Sequence, residues 1–355
     1  TGRIRLYLQG NDAEALFDWI RKSIPGWRWN TFGWILDEVV QRAAEGDASR
    51  AAVIKTLTLL NDRRYATGSK KRSSILELVH EALHKTFATC LPIEADGSSQ
   101  YRLIDWNNRS RLRGPKDGEQ TLVVDAAGFA PEGPDCHSHL LVEAFHLGWR
   151  RFIAYGFRGE RFSGCGFGPQ TEGVVLDLYD STGDYVASGI DGMEIHIHGN
   201  GQDQLAQIVK QGKLVVYGDV GQTFMYGAKG GSVYVMGNAA GRPLINAVGK
   251  PRVVINGTCL DFLAESFMAG DALNGGGFVV LNAIEFDEDG EVRNLPHPYS
   301  GSNLFSLASG GAIYLRDPHR LIIDEQLNGG EVVPMTGAAW QLILPYLEEN
   351  ERLFG

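Results

Sequence analysis

Cysteine is scarce and badly spaced for chemistry. There are four (Cys90, Cys136, Cys165 and Cys259) and no C-x-x-C pair, which argues against an iron–sulfur cluster or zinc ribbon held by this chain. Reduced, mostly buried thiols are the expectation. Proline is also sparse, at 13, and glycine follows no three-residue period, so the chain is not collagen-like. No stretch approaches 18 uninterrupted apolar residues, and the first residues show no signal-peptide pattern. A cytoplasmic protein without a membrane span is expected. Positive charge is in deficit, 33 Lys and Arg against 43 Asp and Glu. Residues 1–90 carry +4 and the rest −14, an acidic body that argues against nucleic acid as the main partner. No Ser-His-Asp spacing and no phosphate-loop motif occur. Gly164-Cys165-Gly166-Phe167-Gly168 lacks the third glycine at the dinucleotide-binding spacing.

What the chain has in excess is glycine, 45 in 355 residues against a usual share of about 7%. Aligned on the residue ending each short apolar run, Asp180, Gly199, Gly218, Gly237 and Gly257 step by 19, 19, 19 and 20 residues. Two positions earlier stand Leu178, Ile197, Val216, Val235 and Ile255; four earlier, Leu176, Ile195, Leu214, Val233 and Val253. All ten are aliphatic, while the positions between them are mixed, as period-two alternation with one buried face requires. Similar runs precede Gly156, Asn282 and Asp317, with Phe278 and Val280 assigned inward before Asn282. Gly212, Gly231, Gly276 and Gly311, six residues before an anchor, mark turns. A sustained period near 20 predicts stacked repeats. The expected fold is mainly β: a single-stranded, right-handed parallel β-helix of about 7–8 coils, with an α-helical N-terminal domain and a C-terminal capping helix.

The domain reading follows. Residues 1–90 form a helical domain, with apolar i, i+3, i+4 spacing over Ala13–Ile20, Thr31–Ala44, Ser49–Leu60 and Ser73–Phe87. Asn11 or Asp12 is the expected first cap, and Ser73 the expected cap of the last of these helices. Trp27, Trp29 and Trp34 make either its core or a docking surface. Arg63 to Arg72 is a basic segment, read as a solvated loop or a contact for an acidic partner. Residues 91–120 read as a linker, 121–335 as the repeat region and 336–355 as the C-terminal helix. An acidic insertion, Glu285 to Pro298, is expected on one face as a binding surface.

Several stretches in this order carry a resemblance: Gly183-Asp184-Tyr185-Val186-Ala187-Ser188-Gly189, Tyr226-Gly227-Ala228-Lys229-Gly230-Gly231, Gly237-Asn238-Ala239-Ala240-Gly241-Arg242, Asn246-Ala247-Val248-Gly249, Gly257 to Met268, and Ser309-Gly310-Gly311-Ala312-Ile313-Tyr314. Together they resemble the GXGXG-type β-helix domain at the C-terminal end of glutamate synthase large subunits, and equally the formylmethanofuran dehydrogenase subunit that shares that fold. The likeness runs from about Leu122 to Val333; Pro243-Leu244 depart from it where an aromatic is usual. In both families this domain is non-catalytic. The resemblance therefore implies a scaffold or interaction subunit of a multi-subunit, glutamate-synthase-like oxidoreductase. Its partner subunits in that redox and amidotransfer complex would carry FMN and iron–sulfur clusters. The alternative is a scaffold in a formylmethanofuran-dehydrogenase-like one-carbon complex. A self-contained solenoid enzyme, such as a polysaccharide lyase or acyltransferase, is a third class; the 19–20-residue period and heterogeneous outward positions argue against it.

No catalytic or cofactor-binding residue is assigned. Glu194, His196 and His198 alternate on one strand, so all three project from its outward face and could hold a metal ion. They also occupy the permissive positions of the repeat, where surface or interface residues belong. Asp135-Cys136-His137-Ser138-His139, with His146, is the densest ligand-capable cluster, yet helical spacing spreads it around the axis. Asp261, Glu265 and Arg242 suit structural pairing as well as chemistry. Thr1 is a formal N-terminal nucleophile with nothing downstream to support it.

Overall fold

A computed structural model describes Gly2 and residues 12–355; the candidates Thr1 and Asn11 lie outside the described residues. Chain contacts divide the molecule into two units.

The first unit comprises Thr1–Ala127, Leu147–Gly156 and Phe286–Val292. Its described helices are α1 (Ala13–Ser23), α2 (Trp29–Ala43), α3 (Asp47–Asp62) and α4 (Arg72–Ala88), which fall on the four segments of helical spacing. Asp12 caps α1 by accepting from the Ala15 amide; Ser73 is not the cap of α4, which begins one residue earlier at Arg72, after Lys71. Leu16, Ile20, Phe32, Val39, Leu57, Val79 and Leu83 build the shared core. Trp29 and Trp34 do not join it: they are 41% and 47% exposed. The basic segment turns partly inward, with Lys70 Nζ donating to the Ile24 carbonyl at 2.8 Å and Arg72 donating to those of Asn61 and Arg63. The tip of the acidic insertion packs here too, the backbone of Gly290 lying against Arg64 and Tyr65. Acidic insertion and basic segment thus meet each other, where the sequence suggested two separate outward surfaces.

Strands β1 (Leu91–Pro92), β2 (Tyr101–Ile104), β3 (Thr121–Asp125) and β4 (Arg151–Tyr155) complete this unit. The first two fall inside the segment read as a linker. The cause is Arg102, which takes the inward position paired with Leu122 and is 2% exposed, so only one of the two inward positions of β2, Ile104, is aliphatic. Arg102 Nε donates to Glu119 Oε1 at 2.6 Å, and Nη1 to the Ala95 carbonyl at 2.9 Å. Arg113 adds a bidentate pair to the same carboxylate, at 2.6 and 2.9 Å.

The second unit comprises Gly128–His146, Phe157–Glu285 and Arg293–Gly355. It contains helix α5 (His137–His146) and strands β5 (Val175–Tyr179), β6 (Asp191–His198), β7 (Gln211–Val216), β8 (Ser232–Val235), β9 (Arg252–Ile255) and β10 (Phe278–Leu281). A short pair follows, β11 (Ile284–Phe286) and β12 (Val292–Asn294), then β13 (Ala312–Leu315) and helix α6 (Gly337–Phe354). From β5 to β9 the parallel ladders pair Leu176, Ile195, Leu214, Val233 and Val253 in turn, the register of the 19-residue step.

Two expectations are corrected. The fold is α/β, not a mainly-β, single-stranded parallel β-helix of about 7–8 coils. In the first unit β1 to β4 pair parallel in order, in the second β5 to β10 and then β13 do so, and more of the described chain is helical than extended. The 19-residue step measures one strand per repeat correctly; it does not reveal strands whose inward residues are polar, or helices laid over the sheet. The second correction is the register of β10. Val279 and Leu281 pair with Val253 and Ile255, so Phe278 and Val280 point outward. All four residues of that strand are apolar and buried, which leaves the alternation with nothing to read. None of the described helices is long and apolar enough to cross a membrane.

The anchor glycines have a packing reason. Asn200 Oδ1 accepts from the Asp219 amide at 2.9 Å, Asp219 Oδ1 from Asn238 at 2.7 Å, and Asn238 Oδ1 from Thr258 at 2.9 Å. This ladder of side-chain oxygens lies directly under the glycines. A Cβ on Gly237 would meet Asp219 Oδ1 inside contact distance and the Gly218 carbonyl at 3.0 Å. Gly237→Ala is expected to cost about 1–3 kcal/mol by urea denaturation, and Asp219→Ala on that background to recover part of the loss.

The return segments alternate their backbone hand. Gln204, Ala206 and Ile208, Thr223 and Met225, Arg242, Leu244 and Asn246, and Phe262, Ala264 and Ser266 all have positive φ. Their amides bond alternately to the following and the preceding repeat: Gln204 to Gln222, Ala206 to Val186, Ile208 to Tyr226. Recurrence in every repeat marks this as scaffold geometry, with the ladder bonds offsetting the cost of each left-handed residue.

Candidate functional site

The outward face of β5 to β7 gathers the densest set of ionisable groups. Pairing sets Glu194 between Val175 and Lys213, and His196 between Asp177 and Val215. His196 Nε2 donates to Glu194 Oε1 at 2.8 Å, and His198 Nε2 donates to Asp177 Oδ1 at 3.1 Å. The His196 contact, ahead of the nearby Lys213, holds the Glu194 carboxyl below its ordinary value. Tyr179, His198 and Tyr217 stack in sequence, with centroids 4.3 and 5.2 Å apart and planes within 19° and 12°.

Helix α6 closes over this face. Thr336 caps it by accepting from Ala339, and its buried side runs across the strands. Tyr346 sits edge-on to Phe278 at 5.2 Å. Asn350 donates to Asn256 at 2.9 Å. Lys213 Nζ donates to Glu349 at 2.9 Å, and Phe354 meets Tyr217 at 5.4 Å. Arg352 donates twice to Glu349, at 2.6 Å each; with Lys213 it holds that carboxyl down at about 2. The helix therefore covers the outward face of the sheet, where the sequence had it capping an end. His198 is left 4% exposed.

This arrangement stacks rings and pairs each carboxylate of the face with an imidazole or a cation. The planes of His196 and His198 are 12° apart with centroids at 6.0 Å, so their nitrogens do not converge on a point as a chelating pair must. Among the described residues no three His, Cys, Asp or Glu side chains are placed to hold a metal ion.

The other candidates disperse. His137 and Ser138 are buried at the start of α5, while Asp135, His139 and His146 are exposed. Arg242 pairs with Glu265 at 3.3 Å, and Asp261 Oδ1 accepts from the Ser302 amide at 2.6 Å, fixing a turn. All four cysteines are free; burial pushes Cys90 up to about 11 and Cys165 up to about 12. Sequence reasoning missed the contact of His137 Nε2 with Ser163 Oγ at 2.6 Å, both fully buried; 26 residues separate them and no spacing announces it. It also missed the Asn200–Asp219–Asn238 ladder, although an Asn or Asp directly after each of those anchor glycines was the available signal.

The GXGXG motif matches residues 151–336, more than half of the chain. The chain belongs to the GXGXG motif family, that of the C-terminal domain of glutamate synthase large subunits. Searches of curated proteins and of solved structures returned no match. The GXGXG match ends at α6 and leaves out α1 to α4. The part of the chain that carries the exposed Trp29 and Trp34, and an open groove of about 410 Å³ lined by Trp29, Ser69, Lys71, Ser74, Glu77 and Leu78, is therefore additional to the family domain.

Proposed function

We propose that this chain is a non-catalytic scaffold subunit of a multi-subunit, glutamate-synthase-like oxidoreductase, bracing partner subunits that carry FMN and iron–sulfur clusters. The observation that carries the reading is that the groups best able to do chemistry are spent on one another beneath α6. Membership of the GXGXG family supports it, and so does the stiffness of a sheet whose return segments are themselves hydrogen-bonded from repeat to repeat. The chain's own residues do not fit a cluster. Cys90 stands in the first unit and the other three in the second. There Cys136 lies close to Cys165, but among the described residues no third His, Cys, Asp or Glu joins them to hold a metal ion, and burial keeps Cys90, Cys165 and Cys259 as thiols. Trp29 and Trp34 offer a surface of the kind partner subunits bury.

The test is native capture of the tagged full chain from its own cells, with mass spectrometry of partners and metal analysis. Stoichiometric partners containing flavin and iron are expected. Partners containing molybdenum or tungsten would replace this reading with a formylmethanofuran-dehydrogenase-like complex, and recovery of the chain without any stoichiometric partner would overturn both.

A further inference from the structure

The sheet ends on β13, and nothing among the described residues pairs with its outer edge. The Ala312 amide donates to Gly277 and the Arg316 amide to Leu281, so residues 312, 314 and 316 direct their backbone toward β10. By alternation the N–H and C=O of Ile313 and Leu315 point out of the sheet. The return segment stops in the same way. Ile208, Gly227, Asn246 and Ser266 each donate to the following repeat; Leu307, the next in that series, has no such partner among the described residues and is 82% exposed.

Apolar side chains crowd this end. The chain after β13 folds back over the last return segment, the Leu304 amide donating to the Gln326 carbonyl. It leaves Ile323 55%, Val332 73%, Val333 71% and Met335 50% exposed. Trp340, 45% exposed, lies six residues before Tyr346, about 9 Å farther along α6 on the side away from β9. With Leu307 these side chains present on the order of 700 Å², near the roughly 800 Å² each partner gives to a stable interface. An uncovered edge with such a patch invites association.

We infer that this end is a two-fold interface with a second copy of the chain, in which β13 pairs antiparallel with β13 of the partner copy. Ile313 then exchanges both backbone bonds with Leu315 of the second copy, and Leu315 with its Ile313, four in all, and Tyr314 faces its own copy across the axis. The strand carries no charge, so nothing repels in that register. Head-to-tail growth is disfavoured, because β1 is two residues long and ends in Pro92, which offers no N–H to a following strand. This inference does not depend on which enzyme complex the chain serves.

The test is sedimentation velocity of the full chain and of two outward-face variants, Tyr314→Lys and Tyr314→Glu, each checked for unchanged circular dichroism. The unaltered chain is expected at twice 38.9 kDa at micromolar concentration. Each variant alone, with like charges opposed on the axis, is expected to weaken dimerisation at least tenfold, and an equimolar mixture of the two to restore it. A monomer at all concentrations, an open series of oligomers, or a dimer indifferent to both variants would overturn the inference.

Discussion

Replacing Glu119 with alanine is expected to destabilise the protein by about 3–5 kcal/mol, the cost of stripping one partner from a buried ion pair. Its carboxylate accepts from Arg102, twice from Arg113, and from the Lys116 amide at 2.8 Å, and its side chain is 2% exposed. Removing it leaves the Arg102 guanidinium, equally buried, with carbonyl acceptors alone. The same network dictates an acid response. The Arg113 bonds, with Lys116 and Arg102 behind them, hold the Glu119 carboxyl down at about 2. A depressed carboxylate contributes stability that is complete above its ordinary value near 4.3 and is lost as pH falls from there through about 2. Glu119→Gln should flatten that part of the profile in urea titrations between pH 5 and pH 2. A variant within about 1 kcal/mol of the parent at pH 7 would sink this assignment.

The second large effect belongs to His137 and lies in a higher pH window. Burial alone pushes its imidazole down to about 4, and Nδ1 has no hydrogen-bond partner among the described residues. The folded protein holds the ring neutral while the unfolded chain protonates near 6.5. Stability is therefore full above pH 6.5 and falls as the pH drops toward 4, by about 3 kcal/mol over the window. His137→Phe removes the titrating group and should abolish this slope, at the expense of the Ser163 contact. Unfolding free energies measured every half unit from pH 7 to pH 4 decide it: equal slopes in parent and variant would show that another group titrates there.

The sheet from β5 to β9 was legible because one constraint repeats five times: two inward positions per strand must be aliphatic, and the step between them is nearly constant. Legibility failed wherever that constraint was masked. In β2 one of the two inward residues is Arg102, tolerable only because Glu119, 17 residues on, returns to pair with it. In β10 four consecutive apolar residues hid the face, since Phe278 is apolar for a different reason, contact with Tyr346. The left-handed residues were invisible too. Glycine is the usual signature of that conformation, whereas Leu244, Ile208 and Phe262 adopt the same hand under the pull of the repeat-to-repeat bonds.

The candidate site divides in the same way. Alternation placed Glu194, His196 and His198 on one outward face, and they are there. The cover over them was not legible, because the amphipathic pattern of α6 says that it must bury a face but not against what. Once α6 is in place, the histidines become the filling between a sheet and its own helix. The exposed aromatics of the helical unit are then better candidates for a partner than the mixed face of the repeats.

On the proposed function, this GXGXG chain acts through its surfaces and not through a resident redox group. The most direct test is the cofactor content of the full chain after separation from any partners under native conditions. Visible absorption and metal analysis should find neither flavin nor iron in stoichiometric amount, with the fold intact by circular dichroism. One flavin or one cluster per chain, retained through that separation, would contradict it.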